Sequence, residues 1–96
     1  MKELDRRKEI ELGLGTEGKL RILRILLRSP EEAFTKYQLE KLTRLKPIDV
    51  RRALKVLVEI GWIKELPYKP KKYQINLENK VIQELGEFFE KVRYLK

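Results

Sequence analysis

Neither cysteine nor histidine occurs anywhere in the 96-residue chain. Without thiols there are no disulfides and no thiolate chemistry, and without thiols and imidazoles a zinc site loses nearly all its usual ligands. Histidine-based acid–base catalysis is excluded with them. Carboxylates, lysines and hydroxyls remain. The carboxylates fall mainly on mixed-charge helix faces, and there is no phosphate-binding loop, metal cluster or nucleophile–base pair. The expectation is therefore no enzymatic activity, no cofactor and no metal. No apolar run approaches the roughly 18 residues a membrane span needs. Met1-Lys2-Glu3-Leu4-Asp5 does not read as a signal peptide, so a cytoplasmic protein without a membrane partner is expected.

What is present is charge on an apolar framework: 40% of residues are charged and 42% hydrophobic. That balance fits one small folded domain rather than a disordered tail. Asn and Gln are scarce beside Lys, Arg, Glu, Ile and Leu, a usage resembling that of thermophile proteins. The formal net charge is +8, and its placement is uneven. Between residues 36 and 72 stand eleven basic side chains against four acidic ones, a local balance of +7. Residues 1–35 carry eight basic and seven acidic groups, and residues 73–96 carry four of each. A concentrated basic segment is what a polyanion recognises, because each neutralised phosphate releases condensed counterions.

Along the chain, residues 2–12 read as a charged helix with few apolar anchors (Leu4, Ile10, Leu12), broken by Gly13 and Gly15. Thr16 caps a helix running to about Arg28, apolar over most of its circumference through Leu20, Ile22, Leu23, Ile25, Leu26 and Leu27. Its narrow polar stripe of Arg21, Arg24 and Arg28 faces either solvent or phosphate. Ala33-Phe34 suits a very short strand. Thr35-Lys36-Tyr37-Gln38 matches a capping box, opening a helix to about Thr43 with Tyr37, Leu39 and Leu42 as anchors. Arg44-Leu45-Lys46 is a tight turn, Pro47 opens the next helix, and Gly61 ends it. Trp62–Leu66 and Lys72–Leu77 read as two strands joined by the loop Pro67-Tyr68-Lys69-Pro70-Lys71, with Tyr73, Ile75 and Leu77 on one face. Trp62 reads as a packing residue. Residues 78–95 read as a long final helix.

The fold class expected from this order is mainly α with a small β-hairpin. Residues 1–15 form an N-terminal arm, 16–77 the core and 78–96 a C-terminal helix. Within residues 34–77 the pattern Tyr37-Gln38-Leu39-Glu40-Lys41-Leu42, then Val50-Arg51-Arg52-Ala53-Leu54-Lys55-Val56-Leu57-Val58-Glu59-Ile60-Gly61-Trp62-Ile63, then Lys72-Tyr73-Gln74-Ile75, resembles the winged helix-turn-helix superfamily. That superfamily of small bacterial and archaeal regulators includes the MarR-, ArsR- and PadR-like families. The resemblance implies a transcription regulator whose partner is double-stranded DNA, with residues 47–60 as the helix entering the major groove and residues 67–72 as the wing.

Helical geometry points the same way. At about 100° per residue, Val50, Ala53, Leu54 and Leu57 share one face, with Ile48, Arg52, Lys55 and Glu59 opposite and Arg51 at the margin. Arg51 and Arg52 suit bidentate contact with guanine or phosphate. Lys46 and Lys55 suit phosphate as point charges, and Arg44 stands beside them in the turn. Ile48 fits a thymine methyl group, whereas the turn Lys46-Pro47-Ile48-Asp49 lacks the polar side chains that read base edges. Lys69, Lys71 and Lys72 form a stiff basic tip with Pro67 and Pro70. Tyr68 lies either against sugar and base edges or over the hairpin. Lys36, Tyr37 and Gln38, at a helix N-terminus, are placed for phosphate.

In the final helix Val81, Leu85, Phe88, Val92 and Leu95 follow coiled-coil spacing, widened by Ile82 and Phe89. Seven apolar residues exceed what a small core needs, so a homodimer through this helix is expected, with Gly86 at a close helix crossing and residues 2–12 as additional cover. The missing base-reading side chains support a different class of function, a winged-helix docking module inside a transcription or replication assembly.

Overall fold

The computed structural model describes residues 6–95, apart from the side chain of Arg7. Its elements are α1 (Arg6–Leu14), α2 (Glu17–Arg28), β1 (Phe34–Thr35), α3 (Lys36–Thr43), α4 (Pro47–Glu59), β2 (Ile63–Leu66), β3 (Lys72–Ile75) and α5 (Lys80–Lys91). The architecture is α+β: five helices around a small antiparallel sheet. Leu4 and the rest of residues 2–5 lie outside the described residues.

α2 is the central pillar. Thr16 caps it by accepting from the Lys19 N–H at 3.3 Å. Ile22, Leu23 and Leu26 are wholly shielded from water, as expected of a helix apolar on several sides. Around it close Leu39 of α3, Val50, Ala53, Leu54 and Leu57 of α4, Ile63 and Ile75 of the hairpin, and Val81, Ile82 and Phe89 of α5. Burying each large aliphatic side chain contributes about 1.5–3 kcal/mol, so these few residues set most of the stability. Of the three anchors expected in α3, only Leu39 is buried; Tyr37 and Leu42 are exposed. Thr43 takes the remaining inward position, donating from Oγ1 to the Leu39 carbonyl at 2.6 Å.

The sheet has the order β1-β3-β2. Ile63 pairs with Ile75 and Leu66 with Lys72 in the hairpin, and Phe34 pairs with Tyr73 on the other edge of β3. β3 ends at Ile75, so Leu77 falls beyond the strand and is exposed.

Gly13 does not break α1, which continues through it to Leu14. A Cβ at Gly13 would lie 2.1 Å from the Trp62 ring, so the glycine lets α1 rest directly on the buried indole. Glu9 of α1 accepts from the Trp62 indole N–H at 2.6 Å, which satisfies the one polar group Trp62 brings into the core. The Lys19 ammonium ties the end of α1 down by donating to the Leu12 carbonyl at 2.6 Å.

α4 and α5 end in the same way. In α4, Gly61 takes a left-handed φ of 80°, and the Trp62 and Gly61 N–H groups donate to Leu57 and Val58 at 3.0 Å each. In α5, Arg93 takes the left-handed position with φ 61°. The Tyr94 and Arg93 N–H groups donate to Phe89 and Glu90 at 2.8 and 3.1 Å. Both are Schellman stops, which satisfy orphan carbonyls at a helix end. The second carries the accompanying apolar contact, Tyr94 edge-on to Phe89 at 4.9 Å.

This stop corrects the reading of the C-terminal seam. The helix ends at Lys91, so Val92 and Leu95 do not continue the stripe of Val81, Leu85 and Phe88. Val81, Ile82 and Phe89 are buried in their own domain and offer no surface to a second chain. Leu85 and Leu95 are half-buried, and Phe88 and Val92 remain exposed. Gly86 does mark a close approach, but within the chain: its position faces Leu27 of α2, whose Cδ2 would lie 3.4 Å from an added Cβ.

Candidate nucleic-acid interface

α3 and α4 are joined by Arg44-Leu45-Lys46. Arg44 has a left-handed φ of 61°, and its N–H closes α3 onto the Glu40 carbonyl at 2.9 Å. The turn is held further by Thr43 Oγ1, which accepts from the Leu45 N–H at 3.2 Å. The Thr43 carbonyl takes a guanidinium N–H from Arg21 of α2 at 3.2 Å. The position of α4 is therefore fixed by backbone hydrogen bonds at its start and by four buried apolar residues along its length.

With Val50, Ala53, Leu54 and Leu57 turned inward, Arg51, Arg52, Lys55 and Ile48 are exposed on α4. Arg44 and Lys46 in the turn and Lys69 at the hairpin tip are exposed as well. Among the described residues, the side chains of Arg44, Lys46, Arg51, Arg52, Lys55 and Lys69 make neither ion pair nor hydrogen bond. Water solvates these cations, and the potential they generate is left uncancelled by contact partners.

A groove lies on either side of α4. One, of about 280 Å³, is lined by Lys36, Arg51, Leu54, Lys55, Val58, Glu59, Glu65 and Tyr73, and so spans α3, α4 and the hairpin. The other is lined by Arg52, Asp49, Val56 and Leu45 together with Thr16–Lys19 at the start of α2. The outward face of α4 is a ridge between them. Arg51 and Arg52, adjacent in sequence, thus address different sides of that ridge.

The sequence-predicted site residues divide accordingly. Arg51 and Lys55 come together with Lys36 in the first groove. Lys36 is half-buried, its ammonium 2.8 Å from Glu40 Oε2 and 4.9 Å from the Tyr37 ring centre. The pair with Glu40 makes Lys36 part of the scaffold and gives a carboxylate oxygen shielded from water its one partner. Gln38 is likewise engaged: its side-chain oxygen accepts from the Thr35 N–H at 2.8 Å while Thr35 Oγ1 accepts from the Gln38 N–H at 3.1 Å. The capping box thereby occupies donors that the α3 N-terminus was expected to offer to phosphate. Tyr37 is exposed.

In the hairpin, Lys71 lies 3.4 Å from Glu65, and Lys72 lies over the Tyr68 ring at 5.3 Å. Tyr68 covers no core; it stays exposed beneath that lysine. The Lys69–Pro70 peptide bond is cis. Behind the tip, Tyr73 contacts Glu65 at 3.4 Å. Burial first, and then the charge and hydrogen bond of Glu65, hold its phenol above the ordinary tyrosine value, so it remains a neutral donor.

The structural role of Arg21 and Arg24 was hidden from sequence reasoning. Both point at backbone carbonyls of other elements, which the helical stripe alone does not show. Arg24 Nε donates to the Tyr94 carbonyl at 2.7 Å, and its guanidinium stands 5.7 Å from the Tyr94 ring centre.

Among the described residues no helix is long and apolar enough to cross a membrane. No protein-family model matches the chain, and neither curated proteins nor solved structures give a match.

Proposed function

We propose that this chain is a winged helix-turn-helix protein that binds double-stranded DNA, as a dimeric transcription regulator. α3 and α4 are the helix pair, and the β2–β3 hairpin is the wing. The observation that carries this reading is the set of six cations, on the α3–α4 turn, the outward face of α4 and the hairpin tip, that have no ion-pair partner among the described residues. A convex helix about 10–12 Å across with a cationic outer face matches the width of the DNA major groove. The basic tip of the hairpin then lies along the backbone or in the neighbouring minor groove.

The polarity of docking follows from charge. The ten residues from Lys46 to Lys55 hold Lys46, Arg51, Arg52 and Lys55 against Asp49 alone, whereas Glu59 ends the same stripe. α4 therefore enters the groove N-terminus first, with its positive dipole end toward the polyanion.

Dimerisation is proposed through exposed Phe88 of α5 and exposed Val92 just beyond its end, rather than through a seven-residue seam. Light scattering is the check: a dimer that Phe88→Glu converts to monomer supports the contact, and a monomeric parent protein removes it.

The test of DNA binding is a gel-shift titration with Arg51→Ala/Arg52→Ala/Lys55→Ala. Loss of about 100-fold or more in affinity with an unchanged melting temperature is expected, since good cationic contacts contribute about 1–3 kcal/mol each. Affinity equal to that of the parent places the DNA site elsewhere. Absence of any shift in the parent protein favours the winged-helix docking module instead.

A further inference from the structure

An isoleucine stands in the middle of the cationic face. Ile48, in the first turn of α4, is 41% exposed. On the helical wheel it lies opposite the buried Val50, Ala53, Leu54 and Leu57, so it projects straight outward. Its surface neighbours at the third and fourth following positions are Arg51 and Arg52.

Among the described residues, no side chain caps this end of the helix. The N-termini of α2, α3 and α5 are each closed by a side-chain oxygen, from Thr16, Thr35 and Asn79. That of α4 has no side-chain cap, and its first residue is Pro47, which has no N–H. The leading turn of α4 therefore has no side-chain cap and exposes Ile48 between Lys46 and Asp49, with Arg51 and Arg52 one turn further on.

We infer that Ile48 reads the C5-methyl group of thymine in the major groove. This rests on the DNA-binding role proposed above. The chemistry leaves little choice: base edges in the major groove present hydrogen-bond donors, acceptors and one apolar group, the thymine methyl. An isoleucine satisfies no donor or acceptor, and placed on any other base pair it leaves those polar groups dehydrated and unpaired. Arg51 and Arg52 beside it hold the backbone and fix the depth of insertion. The protein is then a reader of thymine at one position per half-site, on top of an affinity supplied by phosphate contacts.

The experiment is a fluorescence-anisotropy titration with two duplexes of about 20 base pairs and the same mixed sequence. One carries thymine and the other uracil at every such position, which removes only the methyl groups. The parent protein should bind the thymine duplex about three- to five-fold more tightly for each methyl buried, from the usual stabilisation per buried carbon. Ile48→Ala should bind both duplexes alike, with circular dichroism and salt dependence unchanged. Ile48→Leu should retain part of the preference. Equal affinity of the parent for both duplexes, with binding still salt-sensitive, overturns thymine reading and leaves DNA binding standing. A thymine preference that survives in Ile48→Ala also overturns it. If neither duplex is bound, the DNA-binding role fails and thymine reading fails with it.

Discussion

α2 and α4 carry the same side chain in opposite employment. In α2, Arg21 pairs with Glu17 and donates to the Thr43 carbonyl, and Arg24 donates to the Tyr94 carbonyl at 2.7 Å. In α4, Arg51 and Arg52 have neither an ion pair nor a hydrogen bond among the described residues. Both pairs sit on the polar stripe of an amphipathic helix, so residue type and spacing do not separate them. What separates them is the neighbourhood. The outer face of α2 passes the C-terminal end of α3 and the turn after α5, where orphan carbonyls concentrate negative partial charge. Among the described residues, no carbonyl or carboxylate of another element pairs with the cations on the outer face of α4. An arginine becomes structural where the fold delivers a carbonyl to it, and stays available for an external anion where the fold delivers none.

Substitution can break this comparison. The largest effect is the loss of DNA affinity in the α4 triple variant described above, without loss of stability. The complementary variant, Arg21→Ala/Arg24→Ala, is expected to do the reverse. Leaving partly buried carbonyls unpaired costs about 1–3 kcal/mol per site, which for a domain of this size lowers the melting temperature by roughly 10 °C or more. DNA affinity of the still-folded protein should stay within about two-fold. If instead the α2 variant loses DNA binding while its melting temperature holds, the two arginine stripes have been assigned the wrong way round.

Arg44 sharpens the comparison, because it belongs to both regimes. Its left-handed backbone costs an L-residue about 1–2 kcal/mol, which glycine avoids. Arg44→Gly is therefore expected to raise stability by about 1 kcal/mol, measured by denaturant unfolding, while reducing the salt slope of DNA binding by about one. A gain in stability with an unchanged slope assigns Arg44 no role on the nucleic acid. The smallest effect is at Gly86. An added Cβ meets Leu27 at 3.4 Å, and alanine gains up to about 1 kcal/mol in a helix interior. Gly86→Ala should stabilise by a few tenths of that, and a clear loss of stability would show that α5 packs on α2 with no slack.

The local code of this chain was legible where a residue type favours one backbone role. Thr16 and Thr35 cap their helices, Gln38 completes the capping box, Pro47 opens α4 and Gly61 closes it. The inward face of α4 and the hairpin followed from periodicity. Features decided by tertiary contact, or by a backbone conformation rare for the residue type, were not legible. Gly13 looked like a helix breaker because Trp62 lies 49 positions further on in the chain. Lys36 looked free because Glu40 could equally have faced solvent. Arg93 carries no sequence sign of a left-handed stop, since arginine rarely adopts that conformation, and the apolar spacing alone runs on to Leu95. At the candidate site, the cations were visible as types, but which of them the fold neutralises was not.

The salt dependence of duplex DNA binding tests the central claim most directly. Each neutralised phosphate contributes a slope of about −0.9 in log affinity against log salt. Engagement of four to six of the unpaired cations predicts a slope of about −4 to −5, a weakening of roughly 100- to 1,000-fold between 50 and 200 mM salt. A slope near zero, or no binding at 50 mM, would contradict the assignment of this cationic face to nucleic acid.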